Sequence, residues 1–91
     1  MTDLELEIYY AVRLAGYRPS DSGQGSRARK LAEVRSDHPD AEVVVVRDEF
    51  TGCRFRRAKR NQGRCKKLGS NSTTRHGDGS NCYQVWARWS N

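Results

Sequence analysis

The sequence predicts an α+β fold, a small antiparallel sheet of three or four strands with one or two helices packed on one face. Three observations carry that expectation. A run of four valines within 41–47 and an alternating aromatic segment at 82–89 read as strands. A segment near residue 30 has apolar residues at helical spacing. Ninety-one residues are enough for one domain with a thin core and no more, so the domain is expected to span 1–91.

Residues 4–15 support two assignments. Alternation puts Leu4, Leu6, Ile8, Tyr10, Val12 and Leu14 on one face, as in a half-buried strand. Helical spacing instead groups Leu4, Ile8, Ala11 and Ala15, joined by Val12. Thr2 and Glu5 would then form a capping box, and Gly16 would end the helix. The strand accounts for more of the large apolar residues and is preferred; the helix accounts for both ends.

Residues 16–25 read as a loop. Asp21-Ser-Gly-Gln-Gly-Ser26 matches no phosphate-binding glycine motif and reads as a plain connector. Ser26 is the expected N-cap of a helix through Arg35, with Ala28, Leu31, Ala32 and Val34 on its apolar face. Pro39 disfavours helical geometry at His38, so the helix should end near Ser36 or Asp37. Four consecutive valines put apolar groups on both faces of strand 41–47 and predict a central strand. A turn at 48–52 and a partner strand at 53–59 complete a hairpin. Residues 61–81, rich in Gly, Ser, Asn and Thr without periodicity, are expected to form a long flexible basic loop before the last strand.

Charge is distributed unevenly. Residues 1–52 hold seven Lys/Arg against ten Asp/Glu; residues 53–91 hold ten against one, Asp78. Between Arg54 and Lys67, eight of fourteen residues are cationic and none is acidic. Such a concentration of like charge is costly unless water, salt or an anionic partner screens it. Alternate residues of a strand are about 6.5–7 Å apart, close to the phosphate spacing of a nucleic-acid strand. Arg54, Arg56 and Arg88 could track a backbone, with Arg57, Lys59, Arg60, Arg64, Lys66 and Lys67 extending the field. Trp86 and its aromatic neighbours would offer bases a stacking surface. The ordinary alternative is a solvated basic hairpin that keeps a small protein soluble.

The sequence therefore reads as a non-enzymatic nucleic-acid-binding protein, with RNA and DNA undistinguished. The alternative is a protein-binding module recognising an acidic surface, or an inhibitor of a larger complex, such as a virus- or mobile-element-encoded accessory factor. Trp86 and Trp89 would be its anchors. No cofactor is expected, and the oligomeric state is open.

Other chemistry has weaker support. Cys53, Cys65, His76 and Cys82 are ligand types for zinc, but no Cys-x-x-Cys pair is present, so no metal is expected. His38, His76 and Asp78 make no catalytic constellation. Three cysteines without a signal peptide argue against a disulfide framework. No apolar run reaches the roughly 18–20 residues that span a bilayer, which leads to the expectation of a cytoplasmic protein.

Overall fold

The computed structural model describes residues 2–19, 24–47, 64–73 and 81–90. Two helices, α1 (Asp3–Leu14) and α2 (Gln24–Asp37), precede three strands, β1 (Glu42–Arg47), β2 (Cys65–Thr73) and β3 (Asn81–Arg88). The strands form one antiparallel sheet in the order β1-β3-β2. The architecture is α+β, as expected, in its two-helix form.

The preference for a strand at 4–15 is overturned. The Glu5 N–H donates to Thr2 Oγ1 at 3.3 Å and the Thr2 N–H to Glu5 Oε1 at 3.4 Å, closing the capping box. At the other end Gly16 adopts φ 95°. Gly16 N–H bonds to Arg13 O and Tyr17 N–H to Val12 O, a Schellman ending that needs a left-handed residue. Alternation misleads here because two residues advance a helix by about 200°, so the even positions divide between opposite faces. Ile8 and Val12 turn inward with Leu4, whereas Tyr10 and Leu14 face solvent.

In α2 the buried line is Gln24, Arg27, Ala28, Leu31 and Val34. The helix begins before Ser26, which is therefore inside the first turn rather than at the cap, and Gln24 to Ser26 are helical rather than a connector. Ala32, expected inward, is exposed. The end falls where Pro39 requires it: His38 N–H bonds to Val34 O at 2.8 Å and the chain turns.

Among the described residues β1 pairs with β3 alone and β3 lies between β1 and β2; the strand at 53–59 expected beside β1 lies outside them. The valines of β1 are apolar on both sides because both sides of the sheet carry apolar groups. Val43 and Val45 pack under the helices with Tyr83, Val85, Ala87 and Leu68. Val44 and Val46 pack on the other side with Trp86 and Cys65. β2 lies inside the stretch expected to be a loop. Its polar residues are held by main-chain pairing to β3, with a bulge between Lys67 and Gly69 that leaves Leu68 unpaired and sends it into the core.

Arg35 ties three segments together. Its Nη1 and Nη2 donate to Glu7 Oε1 and Oε2 at 2.7 and 2.6 Å, and its Nε donates to Ala41 O at 3.0 Å. α1, α2 and the entry to β1 are fixed by one side chain. Burial of the apolar face remains the larger stabilising contribution, at about 25 cal/mol per Å² of apolar area removed from water.

Candidate nucleic-acid interface

Half of the residues nominated for polyanion contact, Arg54, Arg56, Arg57, Lys59 and Arg60, lie outside the described residues, as do the turn at 48–52 and the hairpin strand at 53–59. The remaining five do not form one surface. Register places Lys66 opposite Ala87 and Lys67 opposite Trp86, so the two lysines point to opposite sides of the sheet. Lys66 is on the helical side, where its Nζ is 3.8 Å from Glu33 of α2. Arg88 is on the other side and bonds through Nε to Glu42 Oε1 at 2.9 Å.

Both acids belong to the acidic first half of the sequence. Exposed pairs of this kind contribute about 0–1 kcal/mol and are screened by salt, so a phosphate can displace the carboxylate. Their presence nevertheless lowers the local positive field. Lys67 and Arg64 have no acid within ion-pairing distance among the described residues. Arg64 is half-buried just before β2; its carbonyl accepts from Trp89 N–H at 3.0 Å, while its Nε is buried without a hydrogen-bond partner.

Trp86 is removed from the contact set. It is 2% exposed, packed with Val46 and Cys65, and its indole N–H donates to Gln84 Oε1 at 3.0 Å. No base can stack on it. Trp89 is half-buried and stacks on His38, with ring centroids 4.3 Å apart and planes 10° from parallel. His38 is thus a helix-end residue against an aromatic ring.

Arg64, Arg88, Trp89, Asp40, Glu42 and Ser90 line an open cleft of about 510 Å³. Asp40 accepts from the Ser90 N–H at 3.1 Å and from its hydroxyl at 2.9 Å, and these bonds hold its carboxyl below the ordinary value. Two carboxylates and two guanidiniums share the cleft, so it does not present a cationic field.

The four-ligand zinc set cannot assemble. Cys65 is opposite Arg88 and Cys82 opposite Ser72, at the two ends of the β2–β3 ladder. Six residues of strand separate them, about 20 Å at about 3.4 Å per residue. That distance rules out a shared metal ion and a mutual disulfide alike. Cys53, His76 and Asp78 lie outside the described residues. No group of three or more His, Cys, Asp or Glu side chains converges among the described residues. No described helix is long and apolar enough to cross a membrane.

Sequence reading missed the cations on the helix and the far edge. Arg29, Lys30 and Arg47 are exposed, and no acid pairs with them among the described residues. They are spread through the acidic half of the sequence, where net charge hides them. Arg27 was also missed, although its spacing of four from Leu31 was enough to place it on the buried face.

Among the described residues, fold and surface together define a small α+β domain with two helices on one side of a three-stranded sheet. The chain matches no protein-family model, no curated protein and no solved structure.

Proposed function

We propose that this protein binds nucleic acid through its phosphate backbone, without catalysis. The observation that carries the reading is the charge of residues 53–91, ten Lys/Arg against a single acid. The contact set is Arg54, Arg56, Arg57, Lys59, Arg60, Arg64 and Lys67. Lys66 and Arg88 serve mainly as partners of Glu33 and Glu42. Base stacking on Trp86 has no part in it, since the ring is buried. Contacts confined to phosphate hold a backbone but read no sequence. The protein therefore discriminates weakly among sequences.

Binding of a labelled 20-mer, single- and double-stranded, across a salt series tests this reading. About six phosphate contacts give a log–log slope near −5 on a duplex. A slope near zero removes the phosphate model. A protein-binding role is the second reading, and one observation favours it: Tyr10 and Leu14 are exposed side by side on α1.

A further inference from the structure

α1 has two apolar lines, not one. Leu4, Ile8 and Val12 face the core. Leu6, Tyr10 and Leu14 repeat the same four-residue spacing about half a turn away. Tyr10 is 56% exposed and Leu14 89% exposed. Tyr9 lies edge-on to Tyr10 with centroids 5.6 Å apart, and the Arg13 guanidinium is 5.9 Å from the Tyr9 ring centre. A helix that needed only to cover this sheet would place polar groups on its outer side.

We propose that the outer face of α1 pairs antiparallel with the same face of a second copy, about a two-fold axis beside Tyr10. The apolar spacing is symmetric about that residue, with Leu6 four positions before it and Leu14 four after. Reversing the direction brings Leu6 of one copy level with Leu14 of the other and Tyr10 level with Tyr10, the self-complementary pattern a two-fold contact requires. Charge selects the same orientation. Asp3 and Glu5 are in the first turn and Arg13 is in the last. In that register Arg13 of each copy is level with Glu7 of the other, and the two helix dipoles oppose. A parallel pair stacks like ends. The same acids disfavour an anionic lipid surface as the occupant.

The contact is small. Three side chains from a twelve-residue helix fall short of the roughly 800 Å² per partner of a stable interface. Association is therefore weak and depends on concentration.

Sedimentation equilibrium of the full chain in reductant, from micromolar to millimolar, tests the proposal. The average mass should rise from 10.4 kDa toward twice that value. Tyr10→Glu and Leu14→Glu, both at exposed positions, should each weaken association at least tenfold. Arg13→Asp should weaken it, since it sets an acid level with Glu7 of the partner copy. A second measurement needs no variant: diluting the wild-type protein should move the amide resonances of α1 and leave those of β3 in place. A monomer at every concentration overturns the proposal, and so does a dimer indifferent to Tyr10→Glu and Leu14→Glu. Dilution shifts confined to elements other than α1 place the contact on another surface and overturn it as well.

Discussion

Arg27 lies against Gly69. A Cβ built on that glycine would be 2.8 Å from Arg27 Nε and 3.0 Å from its Cγ. Nη2 of the same guanidinium donates to Ser70 O at 2.9 Å. The side chain is 7% exposed, and no acid pairs with it among the described residues. Gly69 is thus the residue that lets a long cation lie flat between α2 and β2. Gly69→Ala should destabilise the fold by about 1–3 kcal/mol, the cost of overpacking. In an Arg27→Ala background the same change should cost at least about 0.5 kcal/mol less, since the clash is gone. Urea unfolding of the four proteins measures the difference.

The Glu7–Arg35 pair should give a pH signature. The Arg35 hydrogen bond is the main reason the Glu7 carboxyl titrates below its ordinary value of 4.5; the Arg35 charge adds to it and desolvation opposes it. A carboxyl with a depressed folded pKa adds stability above its unfolded pKa and loses it as pH falls through the folded one. The pair is partly exposed, so its contribution at neutral pH is at most about 1 kcal/mol. Glu7→Gln should remove that amount at pH 7 and nothing once the pH is below the folded pKa. Asp40 also titrates low because of Ser90. Thermal melts of wild type minus Glu7→Gln isolate the pair.

The ends of α1 should contribute independently. Thr2→Ala removes one half of the capping box and should cost about 1 kcal/mol. Gly16→Ala forces a side chain into φ 95° and should cost about 1–2 kcal/mol. The sites are at opposite ends of the helix, so the two losses should add in the double variant.

Those two ends were the legible part of α1, while its interior misled. Thr2, Glu5 and Gly16 carry local chemistry that only a helix uses. The alternation from Leu4 to Leu14 is ambiguous because the outer stripe of Leu6, Tyr10 and Leu14 imitates a strand face. β1 and β3 were legible because packing on both sides of the sheet demands runs such as Val43–Val46. β2 was not, since its Ser, Asn and Gly residues are held by hydrogen bonds to β3 and leave no pattern in their own side chains. The pairing of Lys66 with Glu33 and Arg88 with Glu42 joins residues far apart in sequence, which net charge by segment does not register.

Trp86 should behave as a core residue. Trp86→Ala should cost about 3–5 kcal/mol. A small domain has about 5–15 kcal/mol in all. Loss of function in that variant therefore reports unfolding, and circular dichroism should show it. Trp89→Ala, from a half-buried ring with His38 on one face, should cost less.

Two charge-reversal sets measured on one oligonucleotide separate the roles of the cations most directly. Reversal of Arg56, Arg57, Lys59 and Arg60 to Glu should lower affinity at least a hundredfold in low salt and flatten the salt slope. Reversal of Lys66 and Arg88, already opposite carboxylates, should change affinity less than tenfold. Equal losses from both sets, or an unaltered slope in the first, would contradict binding through the basic run that begins at Arg54.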